Sequence, residues 1–428
     1  MSTPAPGSAL DDSDIDGSGL DDFALARRAT PLGALIAAEI ADRGRITFER
    51  FMTIALYHPE HGYYSRADLA WGRAGDYETS PEVHPVFGYL WARQVVECWE
   101  RLGAPAAFDL VEPGAGSGAF AAALLDWLRE RAPRCYAAAR PVLLDGHPRR
   151  LAEQRAPLEA RGHSARFALL EDWLGEPEPT RGVVISNELF DAFPVRLVER
   201  RDGVLREWHV VLEGVAGGVA GAADHAAGQG GTALRLELAE ASTPDLAEHF
   251  AHLGMGDAAP GEGSRAEVSL SAIATMRRIA ARVARGYLLT IDYGYEAERL
   301  YASWRRMGTL MAFRDHSPQP DPLVLPGETD LTAHVDLTSL AAAAAAEGFE
   351  AAPTTSQTEA LIALGIGEQL EAARAAATDD LAAFAAARRA AETLLEPAGL
   401  GRIRVLAQAK DAPLDGLCCL RPLGPPAS

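Results

Sequence analysis

Glu112-Pro-Gly-Ala-Gly-Ser-Gly118 sets an acid two residues ahead of the first of its alternating glycines. Glycines so spaced let a backbone approach a ligand and leave free amides at a helix start. Gly114 and Gly116 with Ala119 also satisfy the dinucleotide pattern, so the loop alone leaves two ligand classes open. Glu112 favours one of them: a carboxylate there repels a pyrophosphate and attracts a ligand bearing an ammonium and a sulfonium, such as S-adenosyl-L-methionine. The bland alternative is a tight structural turn.

Further acids close other short apolar runs. Asp145 ends one of them, where a carboxylate can accept both hydroxyls of a ribose. Asp172 follows another beside Trp173, placed to accept an adenine amino hydrogen while the indole packs on the ring. Each also reads as a surface acid or helix cap. Ser186-Asn-Glu-Leu-Phe-Asp-Ala-Phe-Pro194 brings Asn187, Glu188 and Asp191 together. Two carboxylates in that setting can hold a guanidinium by paired charge-assisted hydrogen bonds and help accept a proton. Otherwise Asp191 caps a helix and Glu188 is an ordinary first-turn acid.

These residues meet only if the apolar runs lie side by side. Runs at 108–112, 141–145, 167–170, 182–186 and 286–292 alternate with helical stretches, which predicts an α/β fold with a parallel sheet between helices. Ligands of such sheets bind at the carboxyl edge, where all of these acids fall. Strands at 349–356 and 402–408 would complete a seven-stranded class I methyltransferase sheet with an antiparallel last pair, although other open α/β folds can end this way. Helices are predicted at Pro31–Arg43, 47–56 and 83–102, with an aromatic loop at 57–82. Two insertions decorate the frame. One at 196–285 opens with a hairpin turning at Asp202-Gly203 and includes a Gly/Ala-rich loop at 214–233; the other, at 358–397, is helical.

Composition removes several functions. The 428 residues carry a net charge of −20, which disfavours nucleic-acid binding, and the bases do not cluster. No apolar stretch approaches the roughly 18 residues of a membrane span. Cys98, Cys135, Cys418 and Cys419 lack a C-x-x-C spacing and read as reduced thiols of a cytoplasmic chain. Residues 1–22 hold six aspartates and no lysine or arginine, unlike a signal or transit peptide, so 1–30 is expected to be a disordered acidic tail. His58 and His61 are spaced like metal ligands but lack a second pair, and His334 stands alone; all three read as packing histidines, with no metal site.

Longer segments sharpen the reading. They are Leu56-Tyr-His-Pro-Glu-His-Gly-Tyr-Tyr64, Gly75-Asp-Tyr-Glu-Thr-Ser-Pro-Glu82, the glycine loop, 186–195, Ile291-Asp-Tyr-Gly294, Gly308-Thr-Leu-Met-Ala-Phe-Arg314 and 326–336. Through them the chain resembles the MidA-like S-adenosylmethionine-dependent methyltransferases, which include the mitochondrial complex I assembly methyltransferase acting on an arginine. The resemblance spans about residues 32–410 and departs at Ala115 and Ala119, where the family usually has proline and threonine, and at Asp145, where it has glutamate.

The resemblance implies a helical N-terminal extension at 31–104, a methyltransferase core at 105–410, a tail at 411–428, and inserted helices shaping a groove for a protein substrate. It implies that Thr79, Ser80, Pro81 and Glu82 fold over the donor site; their local reading is a cap with Ser80 at N-cap, Pro81 at N1 and Glu82 at N2. The expected reaction is in-line methyl transfer to an arginine of a protein, such as a respiratory-complex subunit, with Glu188, Asp191 and Asn187 at the acceptor. The rivals are a small-molecule methyltransferase, a non-catalytic assembly module and, more distantly, a nicotinamide oxidoreductase. A homodimer stays open.

Overall fold

The computed structural model describes residues 30–66, 69, 79–214, 233–315, 317–376 and 381–423. The expected acidic tail before Thr30, Gly75 to Glu78 of the resemblance, most of the Gly/Ala-rich loop and the last five residues lie outside them.

Strands β1 (Phe108–Pro113), β2 (Ala139–Asp145), β3 (Arg166–Leu169), β4 (Thr180–Asn187) and β5 (Val283–Asp292) run parallel in the order 3-2-1-4-5. The sixth position, expected as one strand, is two pieces: β6 (Glu350–Ala351) and the short pair Thr355–Ser356. Pro353 lies between them and has no N–H to give a ladder. Both pieces pair antiparallel with β7 (Arg404–Lys410), which itself runs antiparallel to β5. This is the class I methyltransferase sheet that the sequence predicts.

Alternation along the strands builds two cores. Val183, Ile185, Leu289 and Ile291 face helices α4 (Val86–Arg101) and α5 (Ala119–Arg131). Val184 and Leu288 face α6 (Leu270–Arg282) and α7 (Leu337–Ala345). Both faces are covered, so the central strands are apolar throughout and their polar residues collect at the ends.

The N-terminal helices start where their caps dictate. Thr30 accepts the Gly33 N–H at 3.0 Å to open α1 (Pro31–Arg43), and Thr47 accepts the Arg50 N–H at 3.1 Å to open α2 (Phe48–Tyr57). Ile36, Phe48 and Phe51 pack with Leu197 and Val210 of the hairpin Arg196–Arg201 and Val204–Leu212 in a third core. Its turn sits at Asp202 and Gly203, both with positive φ, as a two-residue hairpin requires. The helix expected at 83–102 starts only at Val86, as α4, and Val83 instead ends a separate turn, α3 (Ser80–Val83), because His84 precedes Pro85 and is forced to extended backbone.

Two glycines of neighbouring strands, Gly182 of β4 and Gly286 of β5, leave no room for a Cβ. A Cβ on Gly182 of β4, where φ is +155°, would lie 2.0 Å from the Asp109 carbonyl oxygen of β1. Gly182→Ala should therefore lower the unfolding free energy by about 2 kcal/mol or more, read from urea melts beside the surface control Gly146→Ala.

Candidate active site

The loop after β1 bends through three left-handed glycines, with φ of 73° at Gly114, 53° at Gly116 and 81° at Gly118. A Cβ on Gly114 would lie 2.7 Å from Leu189 Cδ1, and one on Gly118 would lie 3.1 Å from the Gln154 carbonyl oxygen. A side chain at Gly114 would press on Leu189, and one at Gly118 on the backbone of the helix Pro148–Ala160. Gly114 donates its N–H to the Leu144 carbonyl at 2.8 Å, which ties the loop to β2. The result is a cavity of about 170 Å³ lined by the glycine loop, Glu112, Asp145, Asn187 and Glu188, and closed by Thr79, Pro81 and Glu82.

Its electrostatics are those of acids held away from water. The Glu112 carboxyl accepts the Ala121 N–H at the start of α5, yet burial pushes its pKa up to about 8. Burial likewise pushes Asp145 up to about 6, although it accepts from the His147 N–H at 3.1 Å and from Gln154 Nε2 at 3.0 Å. Glu188 holds a left-handed backbone (φ 49°) and donates its N–H to the Ile291 carbonyl at 2.8 Å. Its Oε1 accepts from the Ser80 N–H at 3.2 Å and from Asn187 Nδ2 at 2.9 Å. Burial, then repulsion from Asp191, pushes Glu188 up to about 8. Asn187 Oδ1 is buried without a hydrogen-bond partner among the described residues.

The segment over the cavity differs from its local reading. Thr79, not Ser80, is the N-cap of α3, and Ser80, Pro81 and Glu82 are its first three residues. The Ser80 N–H is then free to reach Glu188, while its hydroxyl donates to Gln357 Oε1 at 3.1 Å. Glu82 accepts the Ser117 hydroxyl of the glycine loop. The segment is pinned to both walls.

Other expected residues fall elsewhere. Trp173 does not line the cavity: it is buried in the core beneath α6, with the Arg282 guanidinium 5.0 Å from its ring. Asp172 is exposed and also absent from the lining. The turn of the short helix Leu170–Leu174 points the indole into the apolar face of the sheet, where burial of so large a ring outweighs exposure at the rim. Asp191 caps no helix, and Glu188 sits in no first turn, because the chain after β4 turns directly into the hairpin. Asp191 is bonded to Thr332 and its pKa is pushed to about 6 by burial. His58 and His61 stack at 5.5 Å, and no group of three metal-ligating side chains occurs among the described residues.

A second cavity of about 410 Å³ adjoins the first, and Tyr64, Glu188 and Ala192 line both. Asp191, Tyr293, Arg305, Thr332, His334 and Arg402 also line it. Tyr64 donates its hydroxyl to Asp330 Oδ1 at 3.0 Å, and Tyr57 donates to the Ala192 carbonyl at 2.8 Å. His334 packs against Tyr293, with ring centres 6.3 Å apart. Asp292 underlies this edge: its Oδ2 accepts from the Leu189 and Phe190 N–H groups at 3.1 and 2.8 Å, and burial, then Asp191, holds its pKa well up. Asp292 ends β5 as Asp145 ends β2, so its strand-end place is the one local signal for it, while Tyr57 and Tyr64 lie in the segment 56–64, where nothing local marks their hydroxyls for a role.

Comparison with known proteins places this geometry. The family model described as "Putative S-adenosyl-L-methionine-dependent methyltransferase" matches residues 90–355. The chain belongs to this family. A Burkholderia thailandensis protein of the COG1565 superfamily, described as a "likely methyl transferase" and crystallised with S-adenosyl-homocysteine, is similar at 29% identity and a TM-score of 0.77, covering 98% of both chains. Among curated proteins, the mitochondrial protein arginine methyltransferase NDUFAF7 homolog of Drosophila melanogaster is 39% identical over 90 residues, 21% of this chain and 20% of that protein. Human NDUFAF7, also named a protein arginine methyltransferase, is 37% identical over 89 residues, again 21% and 20%. The matched stretch thus spans about a fifth of the length of these curated relatives.

As a member of the methyltransferase family, the chain uses S-adenosyl-L-methionine, and its residues fit that donor. The left-handed backbone at Gly114 (φ 73°) disfavours any side chain there, the buried Glu112 has no ion-pair partner among the described residues, and Asp145 beside it is eased only by the nearby Arg150 guanidinium. Glu112 is protonated below about pH 8 in the free protein, whereas a cation beside it favours the carboxylate. Binding of S-adenosyl-L-methionine at about pH 7 should therefore release protons, measured by calorimetry in buffers of different ionisation enthalpy. The Glu112→Gln variant should bind with a smaller release; an unchanged release would assign the protons to another group.

Proposed function

We propose that this methyltransferase modifies an arginine of a protein partner, with the donor in the smaller cavity and the guanidinium in the larger. The observation that carries the reading is that one buried carboxyl, Glu188, lines both cavities. The names of the curated relatives, protein arginine methyltransferases, support the acceptor; a respiratory-complex subunit as the partner is what the family resemblance of the sequence segments implies.

Within this reading each residue has a task set by its chemistry. Glu112 faces the ammonium and Asp145 accepts the ribose hydroxyls, while Thr79, Pro81 and Glu82 close the cavity above them. S-adenosyl-L-methionine supplies an electrophilic methyl group when bound. A guanidinium stays protonated in water and is a poor nucleophile until a proton leaves around the attack. Glu188 and Asp191 orient it by paired hydrogen bonds and spread its charge, and Asn187 fixes the Glu188 carboxyl by its 2.9 Å bond. Glu188, with a pKa near 8 before a cation enters, becomes the carboxylate beside the guanidinium and is poised to take up the departing proton. The rate gain comes from position and electrostatics.

Glu188→Gln keeps the hydrogen-bond acceptor toward Ser80 and removes the proton acceptor. It should lower kcat for methyl transfer about 10²-fold or more while donor affinity stays within a few-fold of wild type. Radiolabelled donor added to a lysate of the source cells should label protein, in arginine. Full turnover by the variant would remove Glu188 from its role, and label confined to extractable small molecules would replace the protein acceptor by a metabolite.

A further inference from the structure

The larger cavity is not uniformly acidic. Arg305 and Arg402 also line it, and neither makes an ion pair or a side-chain hydrogen bond among the described residues. Arg305 is held between rings, 5.0 Å from the centre of Tyr295 and 4.9 Å from that of Trp304, with its Nε buried and unpartnered. Arg402 sits 5.6 Å from the Tyr293 ring. Beside them His334 keeps Nδ1 buried without a partner, and burial, then Arg402 and Arg305, lowers its pKa to about 4. Tyr293 feels both signs of charge, since Glu188, Asp191 and Asp292 raise the pKa of its hydroxyl and Arg402 lowers it. In a cavity that Glu188, Asp191 and Asp330 also line, these two guanidiniums, unpaired among the described residues, set a basic patch opposite in sign to the acids. A ligand that carries only a positive charge has no use for that patch.

The rim next to this wall is apolar. Trp304 is 66% exposed, Met307 74% and Met311 42%. Met311 lines the cavity, the Trp304 ring lies 4.9 Å from the Arg305 guanidinium of its wall, and Met307 precedes Gly308 of that wall; large apolar side chains exposed beside a charged cavity mark a place where a polypeptide rests. A free amino acid would be swallowed by the cavity and would leave that rim in water.

We propose that the acceptor is a polypeptide segment carrying an acidic side chain close to its methylated arginine, that Arg305 and Arg402 bind this carboxylate, and that Trp304, Met307 and Met311 hold the flanking chain. The inference rests on the arginine acceptor proposed above and adds a sequence requirement to it. An acidic neighbour pairs with two guanidiniums that make no ion pair among the described residues.

Capped peptides with a single arginine test it, with a glutamate walked along either side and a glutamine series as control. In at least one register the glutamate peptide should be methylated about tenfold faster in kcat/KM than its glutamine twin. Arg402→Gln should collapse that ratio toward one, and Arg402→Glu should invert it in favour of a lysine in the same register; calorimetric donor binding checks that each variant is folded. Equal rates for glutamate and glutamine peptides in every register would overturn the inference while leaving arginine methylation standing. Free arginine methylated as fast as the best peptide would overturn the docking role of the rim. Failure to methylate any of the peptides by protein that binds the donor would remove the arginine acceptor, and this inference with it.

Discussion

Everything at the carboxyl edge of this sheet depends on carboxyls held largely out of water, none of them in an ion pair among the described residues and only Asp145 eased by a nearby guanidinium, that of Arg150. Glu112, Asp145, Glu188, Asp191 and Asp292 end strands or follow them directly, and each is held by hydrogen bonds while burial drives its pKa up. A carboxyl whose folded pKa exceeds its unfolded one binds protons more tightly in the native state. Such groups stabilise the fold fully below the unfolded pKa and lose that contribution as pH rises through the folded value. For Glu112 and Glu188 the loss runs from the ordinary carboxylate range to about pH 8. The ligand-free protein therefore carries an electrostatic cost at neutral pH, and cations entering the two cavities remove it. Stability is traded against the readiness to bind positive charge.

That constraint explains why the N-terminal helices are part of the enzyme and not an appendage. Glu188 keeps its carboxyl in place with two donors, and one of them is the Ser80 N–H of α3. Ser80 is in turn fixed by Gln357, itself buried and bonded to the Leu394 carbonyl in the helices between β6 and β7. A residue early in the chain, one at the end of β4 and one late in the chain thus form a single polar chain across the site. Removing any member leaves a buried polar group unsatisfied, a loss of about 1–3 kcal/mol.

Where the sequence was readable, short-range rules decided the outcome. The glycine loop, the Thr30 and Thr47 caps, the Asp202-Gly203 turn and the acids at the ends of β1, β2 and β4 are each dictated by neighbours a few residues away. Trp173 shows where this stops. Its strand-end position was right, but which way the indole turns depends on Met276 and Ile279 of α6, about a hundred residues downstream, and the packed face won. The larger cavity was equally hidden. Its walls come from the segments around Tyr64, Asp191, Arg305, Thr332 and Arg402, which no local pattern joins. Long segments such as Asp330-Leu-Thr-Ala-His-Val-Asp336 signalled importance through resemblance, without showing that Thr332 would bond Asp191 or that His334 would pack on Tyr293.

The shared wall also bears on what kind of catalyst this is. Glu188 is fixed on one oxygen by Ser80 and Asn187, both through Oε1. Its second oxygen carries no hydrogen bond from the protein among the described residues. A group meant only to clamp a guanidinium works best with both oxygens free to form the fork-to-fork pair. One meant to receive a proton needs an open oxygen, a fixed orientation and a pKa near the working pH. The arrangement at Glu188 meets the second set of conditions more fully than the first. On the proposed arginine reading, Asp191, bonded to Thr332 on the side of the larger cavity and with the lower pKa of the two, is left to hold the cation while Glu188 changes its charge.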